Sequence, residues 1–100
     1  NPGRPSLTDA IEPNSVEALT LRATANRSLG FARTAETDAT RAVNLAPHNL
    51  DALLERGRVR ASLGNVAGAR ADWSDAVRFA NMTASASDPA AKEAARLLKP

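Results

Sequence analysis

The chain has no cysteine among its 100 residues, which excludes disulfides, thiolate metal sites and a cysteine nucleophile. The compartment stays open, because a cysteine-free chain tolerates oxidising and reducing surroundings alike. Aromatic residues are scarce: there is no tyrosine, and Phe31, Trp73 and Phe79 are the whole set. No run alternates Val, Ile, Thr and Tyr, so strands are not expected. No apolar stretch approaches the roughly 20 residues a membrane helix needs, so no membrane insertion is expected. A dominant charge is missing too. Thirteen Lys and Arg against eleven Asp and Glu leave a formal +2. No basic cluster is interleaved with aromatics, which argues against a nucleic-acid partner. His48 is the single histidine; alone it makes neither a metal site nor a catalytic pair, and beside Pro47 it reads as a surface turn residue. No glycine-rich loop is suited to cradling phosphate. Neither an active site nor a cofactor or metal is expected, and the chain reads as no enzyme.

What is present is mainly alanine, leucine and valine within a 43% hydrophobic content. Alanine is the strongest helix former, and small residues let helices pack at close distance. The class is all-α. The high ratio of arginine to lysine, with abundant alanine, fits a GC-rich bacterial genome, and a soluble protein of the bacterial cytoplasm or periplasm. The chain begins at Asn1 without Met or a signal-like segment, which reads as a piece of something longer.

Residues 16–47 lie over residues 50–81 at a constant offset of 34. Leu19 falls on Leu53, Ser28-Leu29-Gly30 on Ser62-Leu63-Gly64, Ala35 on Ala69, and Ala42-Val43 on Ala76-Val77. Self-similarity at a fixed period of this length marks stacked units that bury their apolar faces against neighbours. Residues 1–5 cannot continue a helix and read as a flexible segment before a single domain, 6–99. Within it, 6–13 reads as the tail of a preceding unit, because Ile11 and Pro13 precede Leu45 and Pro47 by the same offset. Residues 14–47 form one unit and 48–81 the next. Asn14 or Ser15 caps the first helix, whose apolar spacing is Val16, Leu19, Ala23, Ala25 and Leu29. Gly30 breaks it, and a second helix runs from about Ala32 to Ala46. His48 or Asn49 caps a helix to Leu63, and another spans about Val66 to Ala80. A polar loop covers 81–87, and Asp88-Pro89 opens a capping helix over 88–99.

A 34-residue helix–turn–helix period resembles the tetratricopeptide repeat (TPR). The second unit carries Leu53, Gly57, Gly64, Ala69, Trp73 and Ala76 at the family's small and large places. The first carries Leu19, Ala23, Gly30, Ala35, Ala42 and Pro47. The resemblance implies a short α-solenoid of antiparallel helix pairs wound into a right-handed superhelix. It also implies protein–protein recognition, in which the first helices line a concave groove for a peptide or a partner's helix. Carried onto this chain, the groove residues are Glu17, Thr20, Thr24, Arg27 and Ser28, then Asp51, Leu54, Arg58, Ala61 and Ser62. Arg27 and Arg58 are expected to meet ligand carboxylates and Leu54 to anchor an apolar side chain. Family members that clamp a terminal carboxylate use lysine and asparagine where Thr20 and Thr24 stand here, which argues against that activity.

The chain departs from the family at several places. Asn26 and Arg60 stand where the first helix carries an aromatic, and Ala39 stands at the first unit's large place. Arg22 and Arg56 replace a leucine; Glu36 and Arg70 replace an apolar residue. Their stems are expected to pack while the charged heads reach solvent, with Glu36 pairing to Arg56 or Arg60 across the unit junction as the sharper alternative. Two rival functions stand beside groove recognition. One is self-association into a homo-oligomer through an apolar N-terminal edge; the other is RNA binding through the arginines, which Glu17 and Asp51 on the same face oppose.

Overall fold

The computed structural model describes residues 15–100, and all regular structure among them is helical. The expectations for 1–5, 6–13 and Asn14 lie outside the described residues. Five helices follow: α1 Val16–Ser28, α2 Ala32–Leu45, α3 Leu50–Ser62, α4 Val66–Met82 and α5 Pro89–Leu98. All but α2, which Phe31 precedes without a side-chain cap bond, start at side-chain caps that satisfy otherwise orphaned backbone donors. Ser15 accepts from the Ala18 amide at 3.1 Å, Asn49 from Ala52 at 2.9 Å, Asn65 from Gly68 at 2.9 Å and Asp88 from Ala90 at 2.8 Å. Of the two capping candidates before α3, Asn49 is the one that bonds.

The period of 34 is present in the hydrogen bonds as well as the sequence. At the end of α1, the Gly30 amide donates to the Arg27 carbonyl at 3.1 Å and the Phe31 amide to Asn26 at 2.8 Å. At the end of α3, Gly64 donates to Ala61 at 3.0 Å and Asn65 to Arg60 at 2.8 Å. This is the Schellman termination, which places one residue in the left-handed region. Gly30 has φ +88° and Gly64 φ +83°, values that a side chain would strain. The expected loop at 81–87 starts late. Helix α4 continues through Asn81 and Met82, and Thr83 then ends it, its hydroxyl donating to the Phe79 carbonyl at 2.9 Å.

Each helix packs on the next in sequence; α1 also packs on α3, and α3 on α5. Helices α1, α3 and α5 therefore make one row, with α2 and α4 behind it. The core is built from alanines with no exposed surface, including Ala23, Ala35, Ala39, Ala42, Ala52 and Ala76, around Leu19, Leu53 and Trp73. Trp73 is buried, as expected, and its indole N–H donates to the Leu54 carbonyl at 3.2 Å. Gly57 lies under that ring, where any Cβ would collide with the indole. In the first unit Ala39 stands at the place of Trp73 and packs with Ala23, Ala35 and Val59.

Of the apolar spacing expected for α1, Leu19 and Ala23 are buried, but Ala25 and Leu29 are exposed. Their counterparts in α3, Val59 and Leu63, pack against Ala23, Ala35 and Ala39 of the preceding helix pair. The same sequence positions thus meet different surroundings in the two units.

The arginines at 22 and 56 do not send their heads to solvent. Arg22 makes a two-pronged pair with Asp38, Nε to Oδ2 at 3.0 Å and Nη2 to Oδ1 at 2.9 Å. Arg56 repeats it with Asp72 at 3.0 and 2.8 Å. Asn26 adds a third bond to Asp38 at 3.2 Å, and Arg60 adds the equivalent bond to Asp72 at 3.3 Å. The replaced leucine and aromatic positions have become one polar set per unit, closed on a buried aspartate that fixes the second helix against the first. Glu36 reaches Arg60 across the junction, as one alternative expected, but only at 3.9 Å. It does not reach Arg56, which Asp72 holds.

Candidate functional site

A cleft of about 430 Å³ opens between α1 and α3. Successive turns of α1 supply Val16, Glu17, Thr20, Leu21 and Thr24; α3 and its cap supply Asn49, Asp51, Leu54, Glu55 and Arg58. Helical periodicity accounts for the set, since residues three and four apart share a face. Of the ten groove residues expected from sequence, Glu17, Thr20, Thr24, Asp51, Leu54 and Arg58 line this cleft. Arg27, Ser28, Ala61 and Ser62 do not. The two serines and Ala61 lie exposed toward the ends of α1 and α3, where the Ser62 hydroxyl donates back to the Arg58 carbonyl at 3.1 Å.

The arginines already have partners. Arg27 donates to Glu55 through Nε at 2.6 Å and Nη2 at 3.3 Å, and the Thr24 hydroxyl donates to the same carboxylate at 2.8 Å. Glu55 is buried at 3% exposure, so this set ties α1 to α3 from beneath the cleft. Arg58 donates to Glu93 of α5 at 2.8 Å. Glu93 also takes two bonds of 2.6 Å from Arg96. Those Arg96 hydrogen bonds, with a contribution from Arg58, hold the Glu93 carboxyl at about 2, while Glu93 raises Arg96. Arg27 and Arg58, expected to meet ligand carboxylates, are thus each engaged by a glutamate of the next helix in the row.

Leu54 stands where an apolar anchor would be met, at the cleft floor and 8% exposed. Sequence reasoning missed Leu21, which is 62% exposed on the α1 wall. It occupies the position of Glu55 one unit earlier, so the mismatch at offset 34 was a signal that the two faces differ. Asp38 and Asp72 were missed although they too stand 34 apart. His48 is exposed in its turn, stacked on Phe79 with ring centroids 3.8 Å apart. No group of His, Cys, Asp or Glu among the described residues is placed to hold a metal. No described helix is long and apolar enough to cross a membrane.

No match is found. Neither protein-family models, nor curated proteins, nor solved structures show significant similarity to the chain.

Proposed function

We propose that the chain is a short TPR-like α-solenoid of helix pairs whose role is non-enzymatic protein recognition, with a peptide or partner helix bound in the α1–α3 cleft. The observation that carries this reading is the common period of sequence and bonding. The same offset relates the Schellman turns and the Arg–Asp pairs, and it brings Glu17 and Asp51 to equivalent places on adjacent helices. A surface generated by repetition is extended and shallow, which suits a polypeptide ligand. The arginines that RNA binding would need at the cleft are held by carboxylates, and the cleft retains exposed acids.

The test is capture of binding proteins from host lysate by the native domain and by a Leu21→Arg/Asp51→Arg variant. A Thr37→Arg/Arg70→Glu variant, altered on exposed α2 and α4 positions, serves as control. Groove recognition requires a partner that the first variant loses and the second keeps. A partner kept by the first and lost by the second places recognition on the opposite side.

A second reading has one observation in its favour. Leu21 and Ala25 of α1, with Leu29 just past its end, form an exposed stripe, whereas Val59 and Leu63, the counterparts of Ala25 and Leu29, pack against the preceding helix pair. A second copy of the chain covering that stripe would make the domain a self-association module. Its sedimentation mass should then rise with concentration, and Leu29→Glu should return it to a monomer.

A further inference from the structure

We infer that the α1–α3 cleft selects a segment presenting a lysine or arginine beside an aliphatic side chain, an assignment that rests on the groove reading above. Three features carry it.

The first is the charge left after internal pairing. Arg27 cancels Glu55, and Arg58 is engaged with Glu93. Glu17 and Asp51 are exposed and take part in no hydrogen bond or ion pair among the described residues. Two carboxylates therefore remain on walls that otherwise balance, in a molecule whose net formal charge is +2. A ligand carboxylate would be repelled there, and a ligand cation attracted.

The second is their distribution over the helices. An acidic residue in a first turn is favoured by the helix dipole alone, so position by itself says little. Yet α1 and α3 have Glu17 and Asp51 in their first turns, whereas α2, α4 and α5 have no acid there. The helices that wall the cleft are the ones that carry the charge.

The third is the apolar surface between them. Leu21 projects from one wall and Leu54 closes the floor, which gives an aliphatic side chain a place to leave water. An ammonium or guanidinium reaching the acids at the rim, with its stem along Leu21, uses both features at once.

The experiment is selection of a random peptide library on the full chain at low salt. Selected peptides are then resynthesised and titrated by fluorescence anisotropy against native protein, Glu17→Gln/Asp51→Asn and Leu21→Arg. The amide substitutions keep side-chain size and break no bond, and circular dichroism verifies the helix content of each variant. Exposed ion pairs correspond to affinity losses of up to about fivefold each, so the double amide variant should lose up to about 25-fold. The loss should shrink as salt is raised, and the selected peptides should share a Lys or Arg next to Leu, Ile, Val or Met. Peptides that Leu21→Arg rejects but that are acidic or neutral and indifferent to the amide variant would overturn this charge assignment and leave the groove reading standing. Peptides that bind Leu21→Arg as well as native protein, or no selected peptides at all, would overturn both.

Discussion

Replacing Asp72 by alanine should be among the most damaging single changes available in α4. The carboxylate is 2% exposed and accepts three bonds, two from Arg56 and one from Arg60. Its removal leaves the Arg56 head, on a side chain 15% exposed, buried without a counter-charge. Breaking a buried pair from one side costs about 3–5 kcal/mol, far more than the pair's net contribution. For a domain of this size each kcal/mol lowers Tm by about 4–8 °C, so a fall of at least about 12 °C is expected. The matching change Asp38→Ala should cost less, about 1–3 kcal/mol, because Arg22 is 36% exposed and can turn to water, and the third donor is the neutral Asn26. Joint replacement of Arg56 and Asp72 by Met and Leu should recover much of the Asp72→Ala loss, since apolar packing can substitute for a buried pair. Urea unfolding followed by circular dichroism and Trp73 fluorescence measures all four proteins. A loss below about 1 kcal/mol for Asp72→Ala, or a larger loss for Asp38→Ala, would refute the claim that desolvation makes the second pair the stronger constraint.

Three further outcomes follow from the same geometry. Gly57→Ala should lower stability by about 1–3 kcal/mol through collision with the Trp73 indole, the cost of overpacking a filled core; an exposed helical glycine would show the opposite sign, so a rise in Tm contradicts the packing. Glu36→Ala should shift stability by less than about 1 kcal/mol, because the contact to Arg60 is 3.9 Å long and both side chains are partly exposed; a larger shift measured in urea would make it a junction determinant. The Glu93 carboxyl is depressed to about 2 by its Arg96 and Arg58 hydrogen bonds. Its contribution is therefore complete above the ordinary carboxylate range and disappears as pH falls toward 2. Glu93→Gln should flatten that part of the acid-unfolding curve, and an unchanged curve would show that neither the Arg96 pair within α5 nor the Arg58 pair to α3 adds to stability.

The period of 34, the helix boundaries within a few residues, and the burial of Trp73 were legible because each depends on local pattern: glycine and proline at turns, caps before apolar runs. Six of the residues that the family resemblance implied for a groove line one cleft, since their helical spacing puts them on one face. The ion pairs were not legible. Arg22 and Asp38 lie 16 residues apart on different helices, and only the crossing of those helices brings them together. A charged residue at a leucine position therefore looked like a solvated head when it was paired to a buried aspartate. The same limit hid the partners of Arg27 and Arg58, Glu55 and Glu93, which come from the next helix in the row. Leu21 escaped because unit-to-unit comparison rewards identities, while the informative feature was the difference between Leu21 and Glu55.

The most direct test of recognition in the α1–α3 cleft is site-specific photo-crosslinking in host lysate. A photoreactive residue is placed at Leu21 or Asp51 on the cleft, or at Thr37 or Arg70 on exposed α2 and α4 positions. A partner captured from Leu21 and Asp51 and absent from Thr37 and Arg70 is the expected result. The same partner captured only from Thr37 or Arg70 would contradict the account and move recognition to the other side of the helix row.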